Sequence, residues 1–151
     1  MADHATVKTI INAPPAQCFA VALDYERYPD WAADIKTAVV LTRDDDGRGG
    51  EVSYRAAAMG RSTSYTLRYN YGSNPLRISW RLMNGDVMRR LDGEYEFAPV
   101  EGDPNSCEVT YVLTVDLAVP LPSFVKRRAE AKIMHTALDD LRRRVETLLT
   151  A

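Results

Sequence analysis

Cysteine and histidine are scarce in this 151-residue chain, with two of each. Cys18 and Cys107 lie far apart in sequence, with neither Cys-x-x-Cys spacing nor a nearby His. Neither a zinc site nor a redox pair is therefore expected, and both are read as small buried hydrophobes. His4 falls near the start and His135 on the last helix, which gives no footing for metal or nucleophilic chemistry based on histidine. No cofactor and no metal are expected. No stretch approaches the roughly 18 apolar residues of a membrane span, so stable membrane insertion is not expected. The opening residues lack the basic segment and apolar run of a secretory signal, and the protein is expected in the cytoplasm. Strong charge of one sign is missing too. A net charge of -2 and a pI near 5.7 provide no concentrated basic field to release counterions from phosphates, which excludes nucleic acid as a partner. Protein partners are left open.

What is present is an ordinary globular composition, 46% hydrophobic and 26% charged. The length matches one domain over residues 1–151, large enough to enclose a core and some internal space. Thr6 to Asn12 reads as a strand, stopped by Ala13-Pro14-Pro15, where proline opens a helix over Ala16 to Leu23. Tyr25 to Trp31 is an aromatic segment with another helical turn, and Ile35 to Thr42 is a strand. Asp44 to Gly50 is a polar connection. It has the look of a calcium loop, but Thr42 and Ser53 occupy the positions of the first ligand and the closing glutamate, so a solvated hairpin is expected.

The middle of the chain reads as a series of hairpins whose turns assign side chains to faces. Asn84-Gly85 as a two-residue type I′ turn sets Leu82 opposite Val87, Trp80 opposite Arg89, Ile78 opposite Leu91 and Leu76 opposite Gly93. On the other, polar face Arg81, Ser79 and Arg77 meet Met88, Arg90 and Asp92, and Arg77 pairs with Asp92. Gly60-Arg61 as a turn places Val52, Tyr54, Ala56 and Ala58 on one face with Thr63, Tyr65, Leu67 and Tyr69. Ser53, Arg55, Ala57, Ser62, Ser64, Thr66 and Arg68 then face solvent. A last strand over Glu108 to Leu117 turns Val109, Tyr111, Leu113, Val115 and Leu117 one way. Ser123 to about Leu149 has helical periodicity, with Met134, Leu138, Leu141, Val145 and Leu148 as the apolar stripe. Asp139 with Arg143 and Asp140 with Arg144 form exposed pairs four residues apart.

This order is that of the α+β helix-grip fold: a curved antiparallel sheet of about seven strands, two short helices, and a long C-terminal helix enclosing a pocket. The local motifs agree. They are Ile11-x-Ala13-Pro14 with Cys18-Phe19, then Asp24 and Tyr28-Pro29-x-Trp31, then Leu91-x-Gly93-x-Tyr95-x-Phe97-x-Pro99, and the proline-bounded entry to the last helix. On these residues the chain resembles the START-like (SRPBCC) superfamily, and within it the polyketide cyclase/dehydrase and coenzyme-Q-binding-protein branch. The resemblance implies a pocket for a small hydrophobic molecule: a lipid, an isoprenoid quinone or a polyketide-like aromatic.

The derived faces direct Tyr54, Tyr65, Tyr69, Ile78, Trp80 and Leu82 inward with Leu91, Tyr95, Phe97, Tyr111 and Leu113. Met134 and Leu138 of the helix meet them, and Trp31 joins from the aromatic segment. Inward tyrosine hydroxyls need partners, since an unpaired buried hydroxyl costs about 1–3 kcal/mol. Arg89, opposite Trp80, is directed inward either to hold a carbonyl or carboxylate or to reach a rim carboxylate as a structural pair. Arg127 is a candidate for the pocket mouth or a stem covering apolar surface, and His135 sits on the flank of the stripe. The favoured reading is binding without covalent chemistry. Its alternative is an aromatase/cyclase-dehydratase in which Arg89 stabilises an enolate and Tyr65 or Tyr54 donates the proton. The basic runs at Lys126 to Arg128 and Arg142 to Arg144 are interleaved with acids and read as solvated helix faces, with weak contact to an anionic membrane surface as the alternative.

Overall fold

The structure, a computed structural model, describes residues 3–58, 61–118 and 120–150. Strand β1 (Asp3–Ile11) leads through Pro14 into helix α1 (Pro15–Leu23), with proline at the helix start, where its missing N–H costs nothing. A single tight turn (Tyr25–Arg27) and helix α2 (Tyr28–Trp31) follow. Six strands come next: β2 (Ile35–Val40), β3 (Glu51–Ala58), β4 (Arg61–Ser73), β5 (Leu76–Gly85), β6 (Met88–Val100) and β7 (Asp103–Leu117). Helix α3 (Ser123–Thr150) ends the chain. The strands form one antiparallel sheet in the order β1-β7-β6-β5-β4-β3-β2. Consecutive hairpins account for this order, except that β1 returns to the far edge beside β7.

The alternation of the strands decides which face is covered. Val52, Tyr54 and Ala56 of β3 and Thr63, Tyr65, Leu67 and Tyr69 of β4 are buried, as are Val109, Tyr111, Leu113, Val115 and Leu117 of β7. Leu141 and Val145 of α3 are buried as well, together with Ile11, Cys18 and Ala22. Both thiols are buried and unbridged, as expected. The Cys18 thiol donates to the Ala13 carbonyl at 3.9 Å, with Cys107 of β7 nearby, a proximity that sequence separation concealed.

The register differs from expectation in both inner hairpins, and each difference has a local cause. In β3–β4, Ala58 pairs with Arg61, so the connection falls at residues 59–60, outside the described residues. The inward row is unchanged because the slip is an even number of residues. Thr66, expected in solvent, is buried where a bulge between Thr66 and Leu67 bends β4 against β5. In β5–β6, Trp80 pairs with Gly93 and Ile78 with Tyr95, four residues from the expected register. The end of β5 follows β4 as far as Gly85 beside Tyr65, instead of closing on β6. Asp86 holds that end down, its carboxylate accepting from the Thr63 hydroxyl and the Ser64 and Val87 amides. The Asp92 carboxylate terminates the β5–β6 ladder by accepting from the Leu82 amide at 3.0 Å. Asp92 is therefore not the partner of Arg77, which lies 3.8 Å from Glu94.

Arg89 is turned outward, contrary to expectation. A bulge between Met88 and Arg90 against β7 reverses the alternation at the start of β6, so that Met88 enters the core. The Arg89 side chain is 66% exposed and lies 3.9 Å from Asp116. The helix pairs differ too. Asp140 is buried, not exposed, and binds Arg143 at 2.5 Å and the Ala33 amide at 3.0 Å. Leu148 of the expected stripe is 47% exposed.

Candidate functional site

Between the sheet and α3 lies a cavity of about 140 Å³. Its wall is aromatic on the sheet side: Tyr54, Tyr65, Tyr69, Trp80, Tyr95 and Tyr111. Tyr28, Trp31, Ala32, Asp34 and Ile35 close it on one flank, and Ile133, Thr136 and Ala137 of α3 close it on the other. The rings contact one another around this space. Tyr95 stacks on Tyr111 with centroids 4.6 Å apart, Trp80 lies 5.3 Å from Tyr95, and Tyr54 lies 5.4 Å from Tyr65. Offset and tilted contacts of this kind add about 0.5–1.5 kcal/mol each beyond area burial.

Trp80 can lie across the sheet because its partner on β6 is a glycine. A Cβ at Gly93 would sit 2.6 Å from Trp80 Cζ2 and 2.7 Å from the Val112 carbonyl oxygen. Small side chains elsewhere leave the space open, namely Ala32, Ala56, Ala57 and Ala137.

The tyrosine hydroxyls divide into two groups. Tyr71 donates to the Gly49 carbonyl at 2.6 Å, so in the 2.7 Å pair between Tyr25 and Tyr71 the donor is Tyr25. Tyr28 donates to the Ala22 carbonyl. These three anchor the α1–α2 segment and have no proton to spare. Tyr54 and Tyr69 share one hydrogen bond of 2.7 Å, which uses one of their two protons and leaves the other for a further acceptor. Tyr65, Tyr95 and Tyr111 bond through their hydroxyls to no described residue. No buried side-chain nitrogen or oxygen among the described residues lacks a partner, so these three oxygens meet open space. The cavity combines an apolar wall with hydroxyl donors and acceptors that the protein itself leaves unused.

Burial raises the pKa of all of them. The Tyr65 hydroxyl is pushed above the ordinary phenol range by burial and then by the charge of Asp34, and Tyr95 by burial and then by Asp140. Burial likewise raises Tyr54, Tyr69 and Tyr111. At neutral pH they are neutral hydrogen-bonding groups. As proton donors in a cyclisation they are weaker than an ordinary phenol.

A family model described as polyketide cyclase/dehydrase and lipid transport matches residues 2–146. The chain belongs to that family. Solved structures agree on the fold. A START superfamily protein from Mycobacterium smegmatis superposes with a TM-score of 0.87 at 23% identity, over 96% of this chain and 98% of that one. The Zhui aromatase/cyclase from Streptomyces sp. R1128 superposes with a TM-score of 0.83 at 12% identity, over 97% and 94%. A protein from Thermus thermophilus gives 0.80 at 23% identity, over 97% and 99%. No curated protein matches the chain.

In this member of the polyketide cyclase/dehydrase and lipid transport family, the residues expected at the site separate into two sets. Trp31, Tyr54, Tyr65, Tyr69, Ile78, Trp80, Leu91, Tyr95, Tyr111 and Leu113 come together on the cavity wall. Leu82, Arg89, Phe97, Met134 and Leu138 do not. Leu82 lies beyond the end of the β5–β6 ladder, and Phe97 packs edge-on against Phe19 at 5.8 Å, in the solid part of the core. Leu138 is buried, while Met134 borders a shallow cleft between β1 and α3 that also contains His4 and Arg127. His135 and Arg127 are exposed.

The wall also contains residues the sequence reading missed. Tyr28 stands in the Tyr-Pro-x-Trp motif and was within reach. Asp34 supplies a carboxylate where none was expected, and the methionine at the cavity is Met88, through the β6 bulge. Ile133, Thr136 and Ala137 show that the cavity-facing line of α3 lies beside, not along, the Met134–Leu138 row.

Proposed function

We propose that this protein binds a compact hydrophobic molecule bearing a hydrogen-bond acceptor, such as a quinone or a polyketide-like aromatic ketone. The observation that carries the reading is the ring-lined cavity in which the hydroxyls of Tyr65, Tyr95 and Tyr111 bond to no described residue. Affinity would come mainly from burial of apolar ligand surface, at about 25 cal/mol per Å². Tyr65, Tyr95, Tyr111 and the Tyr54–Tyr69 pair would orient the ligand through its oxygen atoms. Size narrows the choice. A cavity near 150 Å³ accommodates about one benzene-sized ring, so 140 Å³ suits a single-ring head. A long acyl chain or a fused polycycle would require α3 and the α2–β2 segment to part.

The cyclase alternative has lost the cation it needed, since Arg89 faces away from the cavity. Binding therefore remains the preferred function.

The molecule contains its own probe, because Trp31 and Trp80 are its two tryptophans and both line the cavity. Titration with a short-chain benzoquinone is expected to quench their emission saturably. Ala137→Phe, which fills the space while adding apolar surface, should weaken that binding at least about tenfold with the thermal unfolding transition retained. Quenching that never saturates, or that is unchanged in a folded Ala137→Phe protein, would overturn the proposal.

A further inference from the structure

The entry to α3 breaks a rule that its interior obeys. The positive end of a helix dipole favours acidic side chains, yet the first turn of α3 has none, and Lys126, Arg127 and Arg128 crowd its start. This arrangement opposes helix formation, so its explanation lies outside the helix.

Along the first half of α3, residues spaced three and four apart turn one face to solvent: Phe124, Arg127, Arg128, Ala131, Lys132 and His135 are all exposed. The only acid between Ser123 and Leu138 is Glu130, and it is buried. A chain of net charge -2 thus presents a helix face with no acid on it. An ordinary solvated face mixes signs, as the second half of the same helix does with Asp139, Arg142 and Arg143.

Apolar side chains project beside the cations. Phe124 is 67% exposed and Leu121 is 38% exposed. The start of β6 adds more positive charge. Ala118 donates to the Val87 carbonyl at 2.7 Å, and Asp116 lies between Lys126 at 2.9 Å and Arg89 at 3.9 Å. Asp116 is largely covered, whereas Arg89 extends beyond it into solvent.

We propose that this face docks on an anionic lipid surface, peripherally and reversibly. Phe124 and Leu121 enter the boundary between headgroups and acyl chains, while Arg127, Arg128 and Lys132 meet the anionic headgroups. The pairing of cations with an exposed aromatic ring favours a bilayer over a nucleic acid, because phosphate contacts alone leave Phe124 and Leu121 without a role. The inference does not depend on what the cavity holds. It does have a bearing on it, since Ile133, Thr136 and Ala137 of the same helical stretch line the cavity from the other side.

Sedimentation with vesicles tests the idea, using phosphatidylcholine alone against phosphatidylcholine mixed with phosphatidylglycerol. The full chain should sediment only with the anionic vesicles and should be released by salt. Arg127→Glu combined with Arg128→Glu should weaken partitioning at least about 30-fold, and Phe124→Ala about tenfold. Both variants should keep the wild-type unfolding transition and the wild-type quinone titration, which separates failure of this surface from failure of the cavity reading. Absence of binding to either vesicle would overturn the proposal. So would equal binding to both, or binding indifferent to the arginine reversals. A duplex DNA that binds with the same salt and arginine dependence, in a protein that ignores vesicles and Phe124→Ala, would replace the lipid with a polyanion and overturn it as well.

Discussion

The two halves of α3 share one helix and one sheet but do opposite things with their inner faces. Toward the C-terminus, Leu141 and Val145 are fully covered among Ile11, Cys18 and Ala22, and the Glu146 carboxylate accepts from the Asn12 amide at 3.1 Å. Toward the N-terminus, Ile133, Thr136 and Ala137 are only half-buried and border the cavity. The sheet mirrors the division, with Val109 and Phe97 filling the core at one end and tyrosines arching over open space at the other. One end stabilises the fold by close packing. The other supports its rings on each other and on hydroxyl bonds, and space is left between them and the helix.

Alkali should break the open end most completely. All eight tyrosines have folded pKa values raised by burial, Tyr71 the most modestly, to about 12. In the unfolded chain they ionise near pH 10. The folded state then holds more protons than the unfolded one, so stability is intact below that pH and falls as pH rises through it. Phenolate absorbance and loss of ellipticity should therefore appear together in one cooperative step; gradual ionisation of an intact fold would contradict the burial described.

A cut at the packed end should come next in size. Leu141→Ala is expected to cost about 2–5 kcal/mol in urea unfolding, while leaving the quinone titration of the folded protein unchanged. A Leu141→Ala protein that lost binding without losing stability would erase the distinction between the halves. Gly93→Ala acts at the open end, forcing Trp80 off the β6 backbone, and is expected to cost about 1–3 kcal/mol. Here tryptophan emission should shift as well, because Trp80 must move toward the cavity. The smallest effect belongs to the start of α3. Asp116→Asn removes the charge but keeps an oxygen that can accept from Lys126, and should cost about 1 kcal/mol. The hydrogen bond from Lys126 lowers the Asp116 pKa, so this contribution is present above the ordinary carboxylate range and vanishes as pH falls through the lowered value. Unfolding curves of wild type and Asp116→Asn should converge in acid.

The sequence made the fold readable because alternation survives errors of register. The β3–β4 and β5–β6 hairpins were each placed an even number of residues away from their true pairing, and the inward tyrosines stayed inward. A bulge moves side chains by an odd number, and there the reading failed, sending Arg89 inward and Met88 outward. Nothing in the string Val87-Met-Arg-Arg-Leu91 marks the bulge, which depends on β6 leaving β5 for β7. The site was legible where its residues are large. Space itself is made by Ala32, Ala56, Ala57 and Ala137, whose small side chains give no periodic signal that distinguishes a cavity from close packing. The rotation of α3 that exposes Ala137 in place of Met134 depends on its contacts with α1 and β1, a tertiary matter that no single-helix pattern contains.

The Ala33–Asp140 hydrogen bond ties together two segments that flank the cavity, one carrying Ala32 and Asp34, the other Thr136 and Ala137. A charge-assisted bond of this sort contributes about 1.5–3 kcal/mol. The two flanks of the cavity are thereby fastened to each other at one polar point, separate from the ladder of the sheet and from the close packing at the far end of the long helix.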